Sequence, residues 1–320
     1  MLKAVILFAV GLVLLIKGGD WFVDGSVGIA KRLKVPEILI GATVVSIGTT
    51  LPEVMVSATS AVGGHGQIAY GNAIGSVICN TSLIAAITVA LKPSATDKKA
   101  LKLPVIFFLI SALFYASNAY IFGYFGRISG IALLLAFAVY ILLSVRSAKN
   151  SEVAKTEDET EIKGSILSDI LWLIVGAALI ALGADLLVDN GTIIAKGLGV
   201  PEAVIGLTFV ALGTSLPELV TAITALTKGH GALSLGNVIG ANLFNIVLVS
   251  GLSSTLSPFA VPADNKLFGV ASSLIVDIPV MIGVMLILTV PALIKGKLYR
   301  TQGILLLLIY IAFCAFQFVI

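Results

Sequence analysis

The chain has 320 residues, of which 58% are hydrophobic and 12% are charged, and its formal net charge is +3. Soluble globular domains are far more polar, so this composition excludes that class and indicates a membrane protein. The two histidines, His65 and His230, fall in loops between apolar runs, so no Ser/His or metal-hydrolase constellation lies within the runs. An intramembrane hydrolase is therefore not favoured.

Ten apolar runs follow one another along the chain. Each is about 20 residues or longer, the length that an α-helix needs to cross the hydrocarbon core. The runs are continuously apolar and lack the alternation of barrel strands, which excludes a transmembrane β-barrel. We therefore predict an all-α, polytopic membrane protein with ten transmembrane helices. Their approximate bounds are 4–28, 38–60, 67–91, 103–122, 127–146, 164–193, 203–226, 232–256, 268–292 and 301–320.

Positive charge is distributed unevenly between the loops on the two sides of the predicted bundle. If the N-terminus lies outside, 15 Lys and Arg residues fall in inward loops and 4 in outward loops, while Lys17 lies within the first run. This positive-inside pattern places the N-terminus outside and the central hydrophilic loop in the cytoplasm. Membrane orientation thus accounts for the charge, and no nucleic-acid partner is implied.

An internal duplication relates the two halves of the chain with an offset of 165 residues. Between 35–80 and 200–245, 21 of 46 positions are identical. Each half holds five runs, an odd number, so the second half crosses the membrane in the opposite direction. Inverted repeats are typical of secondary transporters. We predict a first five-helix repeat at 1–146, a cytoplasmic linker at 147–163 and a second, inverted repeat at 164–320.

The second and seventh runs contain matching motifs, SIGTTLPE and ALGTSLPE, in which proline and glutamate interrupt an apolar helix. Pro52 has no N–H to donate to the carbonyl of Gly48, so we expect the backbone to open there and at the matching Pro217. An ionisable residue at this depth costs about 2.5–3.5 kcal/mol on insertion scales. That cost favours a functional role for Glu53 and Glu218.

Further polar residues accompany the glutamates at helical spacing, in the second, third, seventh and eighth runs. Their hydroxyl, amide and carboxylate oxygens are hard ligands, which suit Ca²⁺ or Na⁺ and not zinc or copper. Taken singly, each Ser, Thr or Asn is equally able to join two helices by a hydrogen bond. The set comprises Ser46, Thr49, Thr50, Asn72, Ser76, Asn80, Thr214, Ser215, Asn237 and Asn245.

A family resemblance rests on these motifs. The segments GATVVSIGTTLPEVMVS and GNAIGSVICN, repeated as GLTFVALGTSLPELVTA and GNVIGANLFN, resemble the two alpha-repeats of the calcium/cation antiporter superfamily, in its prokaryotic sodium/calcium exchanger branch. The resemblance implies a secondary active antiporter, not an enzyme, that exchanges Ca²⁺ for Na⁺ by alternating access without a cofactor. It further implies a multi-pass protein of the prokaryotic plasma membrane. Its partners would be Ca²⁺, Na⁺ and membrane lipid, and a monomer is compatible with this architecture.

The resemblance also implies the residues that bind the transported cations, with the first and sixth runs as a sliding gate. The two glutamates would be the central ligands, Ser46 and Ala211 would offer backbone carbonyls, and the others would offer hydroxyl, carbonyl or amide oxygens. Two positions depart from the family pattern: Asn245 replaces an aspartate and Ala241 replaces a serine. The implied ligands are Glu53, Glu218, Thr49, Thr50, Thr214, Ser215, Asn80, Asn245, Ser76, Ser46 and Ala211.

Two other functions remain open at this point. In an H⁺/Ca²⁺ antiporter the same glutamates would alternate between Ca²⁺ binding and protonation, since burial favours the neutral form of a carboxyl group. A passive cation channel is the weaker alternative. A penalty of about 3 kcal/mol for moving an empty, negatively charged site would slow that step more than about a hundredfold, which favours antiport.

Five more acidic residues lie within or near the apolar runs. Asp20 and Asp24 recur at the offset as Asp185 and Asp189, near the ends of the first and sixth runs. They either line the path of the ions or are simply solvated at the interface. Asp277 lies in the ninth run without an acidic counterpart, and both a polar contact and a proton site are open for it.

Overall fold

The structure is a computed structural model that describes residues 2–149, 165–198, 213–263 and 266–319. In these ranges, nine helices are long and apolar enough to cross a membrane, and a tenth apolar helix, α7, is shorter. The predicted all-α fold class is confirmed. The helices are α1 Leu2–Arg32, α2 Glu37–Val62, α3 Gly66–Leu91, α4 Lys98–Phe122, α5 Arg127–Lys149, α6 Ile166–Gly197, α7 Leu216–Thr227, α8 Gly231–Leu256, α9 Ser273–Lys295 and α10 Arg300–Val319.

Four two-residue strands lie in the connections. Strands β1 (Tyr124–Phe125) and β2 (Phe259–Ala260) pair antiparallel and join the α4–α5 turn to the segment after α8. Strands β3 (Lys266–Leu267) and β4 (Val270–Ala271) form a hairpin. The predicted start of the ninth run at 268 is therefore wrong. Phe268 and Gly269 adopt positive φ angles of 51° and 81°, a turn that an α-helix does not accommodate.

Helices α1 and α6 pack backbone against backbone through glycines spaced seven residues apart. Gly11 faces Gly183, and Gly18 faces Gly176, so the two helices run antiparallel. A β-carbon on Gly18 would lie 2.9 Å from the carbonyl oxygen of Gly176 and 2.8 Å from the backbone nitrogen of Ile180. Small residues permit this close approach of two transmembrane helices.

The inner layer of the protein consists of α2, α3, α7 and α8. In the most apolar stretch of α8, 89% of the residues are buried inside the protein, against 22% for α6. Gly236 of α8 packs directly on the backbone of Ile38 in α2, and Gly240 packs on Ala42. The four inner helices are therefore those that carry the predicted cation ligands.

Within the described residues, four of the spans contain a π-helical turn, in which each backbone N–H bonds to the carbonyl five residues earlier and not four. These turns interrupt α-helical periodicity, redirect side chains and are frequent at functional sites. Asn80 and Asn245, which match at the repeat offset, each begin one. The turns are Gly41–Val45, Asn80–Ala85, Asn245–Val249 and Ser273–Asp277.

A valine at Gly18 should destabilise the protein by about 1–3 kcal/mol, the usual cost of overpacking, because its side chain has no room between α1 and α6. Thermal unfolding of the purified protein in detergent measures the effect. Gly283→Val in α9 is the matched control, since a β-carbon there meets no atom of the described residues within 4 Å. Equal melting temperatures for the two variants would contradict the close packing.

Candidate cation site

Glu53 of α2 and Glu218 of α7 meet at the centre of the inner layer. Both side chains are fully buried, with an exposed fraction of 0%. None of their four carboxylate oxygens has a hydrogen-bond partner among the described residues. Helix α7 packs against α2, so the two helices that carry these groups are direct neighbours. Since an unpaired buried carboxylate is very costly, this arrangement requires a compensating positive charge or protonation.

Among the described residues, other buried oxygens without a partner lie on or next to the four inner helices, and some of them form pairs related by the repeat. The hydroxyl oxygens of Thr50 and Ser215 are buried and have no hydrogen-bond partner in the described part of the chain. The same is true of the amide oxygens of Asn80 and Asn245. In each of these two pairs, Thr50 with Ser215 and Asn80 with Asn245, one oxygen thus comes from each half of the chain.

The amide of Asn245 is oriented by its own helix. Its Nδ2 donates to the carbonyl of Ala241 at 3.0 Å, which leaves Oδ1 without a partner among the described residues. The backbone carbonyl of Asn245 accepts from Ser250 Oγ at 3.0 Å. The π-helical turn that begins at Asn245 therefore presents an amide oxygen, the part of the side chain that can bind a cation.

Two other predicted ligands, Thr49 and Thr214, each form a hydrogen bond to a residue of the opposite repeat. Thr49 Oγ1 donates to Asn237 Oδ1 at 3.2 Å, and Thr214 Oγ1 donates to Asn72 Oδ1 at 3.4 Å. The two asparagines belong to the polar set of the third and eighth runs but not to the predicted ligands. The only sign of these two asparagines in the sequence was that Asn72 and Asn237 are the same residue at matching positions of the two repeats.

The remaining predicted ligands differ in what the structure shows of them. The Ser46 hydroxyl donates to the carbonyl of Gly41 at 2.7 Å and lies 3.0 Å from the carbonyl of Asn237. Its predicted ligand is the backbone carbonyl, which stays a prediction. Ser76 is buried in α3. Ala211 lies outside the described residues, and its predicted carbonyl ligand stays a prediction.

The backbone around the two prolines differs from one half to the other. In α2 the helix continues from Ser46 to Val62 with Pro52 inside it, so the opening predicted at Gly48 is not observed. The irregular backbone lies one turn earlier, in the π-helical Gly41–Val45. In the second half α7 begins only at Leu216, with Pro217 in its first turn, where a missing N–H costs no helical bond.

The chemistry of these donors suits a hard cation. Carboxylate, hydroxyl and amide oxygens are the ligands of Ca²⁺ and Na⁺ in proteins. Among the described residues there is no cluster of three or more His, Cys, Asp or Glu side chains of the kind that holds a transition metal. Two carboxylates match the charge of one divalent ion or two monovalent ions.

A cavity of about 750 Å³ lies beside the site and follows α6 from Leu173 to Asp189. It lies between α2, α6 and the start of α7, and it reaches Thr214 and Pro217. Asp185 and Asp189 of α6 line it. At this end of α6 both roles left open for the pair, a place along the path of the ions and solvation at the interface, stay predictions.

The opposite end of the bundle is closed by ion pairs. Lys228, just after α7, contacts Asp24 of α1 at 2.7 Å and Asp20 at 3.4 Å. Nearby, Val220 of α7 packs where a β-carbon of Gly19 would lie, only 2.7 Å from that position. The matching acidic pairs of α1 and α6 thus differ, because one is bound to a lysine and the other faces a cavity.

A further ion pair and a histidine–glutamate contact lie at the closed end, and Asp277 lies near the start of α9. Arg32 pairs with Asp169 of α6 at 2.5 Å, and His230 Nδ1 lies 2.8 Å from Glu37 Oε1. Asp277 accepts a hydrogen bond from Gln317 Nε2 at 2.9 Å, which is the polar contact left open for it.

A sequence profile of the family described as "Sodium/calcium exchanger protein" matches residues 3–146 and 168–319. The chain belongs to the sodium/calcium exchanger family. As a member of this family it is an integral membrane protein and a cation antiporter, not an enzyme. The resemblance drawn from the paired motifs is confirmed.

Relatives in the family match this exchanger along most of its length. It is 33% identical over 352 residues to the sodium/calcium exchanger MaX1 of Methanosarcina acetivorans, covering 98% of each chain. It is 35% identical over 265 residues to the inner membrane protein YrbG of Escherichia coli K12, covering 81% of each chain. A solved structure of the sodium-calcium exchanger NCX_Mj, soaked with Na⁺ and Sr²⁺, superposes with a TM-score of 0.84 at 33% identity, covering 98% of both chains.

Thiol labelling should show that this exchanger is open at one end and closed at the other. Met55 is 62% exposed and lines the 750 Å³ cavity, whereas Val220, its counterpart in the second repeat, packs beside Gly19. With both native cysteines replaced by alanine, Met55→Cys should react many times faster than Val220→Cys with a charged thiol reagent. The reagent is applied to purified protein in detergent, and equal rates would contradict the asymmetry.

Proposed function

We propose that this protein exchanges Ca²⁺ for Na⁺ across the membrane by alternating access, with Glu53 and Glu218 as the central ligands. The observation that carries the proposal is the set of buried oxygens without a partner among the described residues, which two inverted halves contribute in pairs. We also propose the rest of the predicted ligands, Thr49, Thr50, Thr214, Ser215, Asn80, Asn245, Ser76, Ser46 and Ala211.

Charge compensation supplies the coupling in this mechanism. The empty site holds two carboxylates with no neutralising group, so its movement past an apolar barrier is disfavoured. One Ca²⁺, or Na⁺ ions in sufficient number, removes the net charge. Occupied sites then change orientation and empty ones do not, which is the requirement for exchange in place of leakage.

The orientation follows from the positive-inside pattern. With the N-terminus outside, the cavity beside Asp185 and Asp189 opens to the exterior, and the contacts of Lys228 with Asp20 and Asp24 close the cytoplasmic side. The central linker at 147–163 is then cytoplasmic, between repeats at 1–146 and 164–320. We place the protein in the prokaryotic plasma membrane, a location supported by its similarity to the inner membrane protein YrbG.

Two relatives support Na⁺ as the coupling ion, since MaX1 and NCX_Mj are both named as sodium/calcium exchangers. Proton coupling through the same buried glutamates is the alternative that an experiment must separate. Its distinguishing property is that a proton gradient, in the absence of Na⁺, drives Ca²⁺ uptake.

Uptake of radioactive Ca²⁺ into proteoliposomes loaded with Na⁺ tests the proposal. Uptake should require the outward Na⁺ gradient and fall at least about tenfold in Glu53→Gln and Glu218→Gln, because each loses a charged ligand. Asp277→Asn is the matched control, an acid-to-amide change at an intramembrane carboxylate bound to Gln317 and outside the ligand set. It should transport like the wild type.

Three outcomes decide between the functions. Uptake driven only by a proton gradient would assign the protein as an H⁺/Ca²⁺ antiporter. Uptake that ignores both gradients would indicate a channel and overturn the proposal. Equal losses in all three variants would show that the glutamates have no special place in transport.

A further inference from the structure

We propose that Asn72 and Asn237 are positioning residues, each of which fixes the hydroxyl of a cation-binding threonine in the opposite repeat. Asn237 of α8 would orient the hydroxyl of Thr49 in α2. Asn72 of α3 would orient the hydroxyl of Thr214, which lies just before α7. The inference rests on the proposed function and adds to it residues outside the implied ligand set.

The geometry is reciprocal. Thr49 Oγ1 donates to Asn237 Oδ1 at 3.2 Å, and Thr214 Oγ1 donates to Asn72 Oδ1 at 3.4 Å. Both threonines and both asparagines are related by the 165-residue offset of the duplication. The internal twofold symmetry therefore generates two crossed hydrogen bonds, and each links a ligand of one half to an asparagine of the other half.

The direction of these bonds matters for cation binding. A threonine hydroxyl has one hydrogen and two acceptor lone pairs. When the hydrogen is committed to an amide oxygen, the lone pairs remain available for a cation. Without the asparagine the hydroxyl is free to rotate, and any orientation that turns its hydrogen toward the ion loses that ligand.

Asn72 is itself held firmly. Its Nδ2 donates to Ser57 Oγ at 2.8 Å and to the backbone carbonyl of Glu53 at 3.3 Å. Ser57 is fully buried in α2. Asn72 thus ties the helix that carries Glu53 to the threonine that comes from the second repeat.

Asn237 is held in a different way. Its Oδ1 also faces the Ser46 hydroxyl at 3.4 Å, and its backbone carbonyl lies 3.0 Å from that hydroxyl, whose nearest acceptor is the carbonyl of Gly41 at 2.7 Å. Its Nδ2 is buried and has no partner among the described residues. The counterpart of Ser57 in the second half is Ala222, which offers no hydroxyl. The two crossed hydrogen bonds therefore occupy equivalent positions in the two repeats, but the side chain of Asn72 is held by more hydrogen bonds than that of Asn237.

A double-mutant cycle on Na⁺-driven Ca²⁺ uptake tests the proposal. Asn72→Ala, Asn237→Ala, Thr49→Val and Thr214→Val should each raise the KM for Ca²⁺ about tenfold, the effect of one lost ligand, with little change in Vmax. Asn72→Ala combined with Thr214→Val should be no worse than Thr214→Val alone. Asn72→Ala combined with Thr49→Val should raise the KM by the product of the single effects.

Two further variants separate positioning from general structural damage. Asn118→Ala removes a buried amide of α4 that donates to Phe114 of its own helix at 2.9 Å, and it should leave the KM unchanged. Ser57→Ala is a milder perturbation of Asn72. It should raise the KM by a smaller factor than Asn72→Ala and should have no added effect in a Thr214→Val background.

The outcomes for this inference and for the proposed function are distinct. A wild type without Na⁺-driven Ca²⁺ uptake overturns the proposed function. A functional wild type in which the crossed pairs combine multiplicatively overturns the positioning role alone. The same holds if Asn118→Ala raises the KM as much as the site variants do, or if the asparagine variants lower only Vmax. If Asn72→Ala does not fold, the Ser57→Ala cycle decides.

Discussion

Two buried carboxylates that face each other without a fixed counter-charge are the constraint on which the rest of this structure depends. In a low-dielectric interior such a pair is tolerated only when something mobile neutralises it. The surrounding oxygens are consistent with that requirement, since Thr50, Ser215, Asn80 and Asn245 add acceptors and no positive charge. A lysine or arginine in this place would stabilise the fold and abolish the need for a cation.

Gene duplication provides the geometry that this constraint needs. A single repeat supplies one glutamate and a few hydroxyl and amide groups, and in the proposed site an inverted copy would complete the ligand shell around a twofold axis. The same symmetry makes the two ends of the bundle alternatives to each other. At one end α1 packs on α7, whereas at the other a cavity of about 750 Å³ separates α6 from α2. Exchange of these two arrangements would move access from one side to the other.

The sequence predicted the layout of the helices closely, because the bilayer fixes the length of an apolar run. It missed the start of α9, since the hairpin turn at Phe268 and Gly269 is also apolar and does not interrupt the run. The duplicated motif and the insertion cost of a carboxylate within an apolar run singled out Glu53 and Glu218, which the family resemblance also implied. The backbone opening expected at Gly48 was wrong, because one proline removes a single hydrogen bond and the helix continues through it. The crossed threonine–asparagine bonds link residues more than 140 positions apart, and local spacing carries no information on such pairs.

The strengths of the interactions at the site and at the closed end differ, and this difference suits a transporter. The ion pairs of Lys228 with Asp20 and Asp24 are partly exposed, with Asp24 60% accessible, and pairs of this kind contribute about 0–1 kcal/mol each. These ion pairs therefore do not hold the closed end strongly. The energy of the two buried charges is much larger, so in the proposed mechanism occupancy of the site, and not the contacts at its ends, would determine whether the bundle changes orientation.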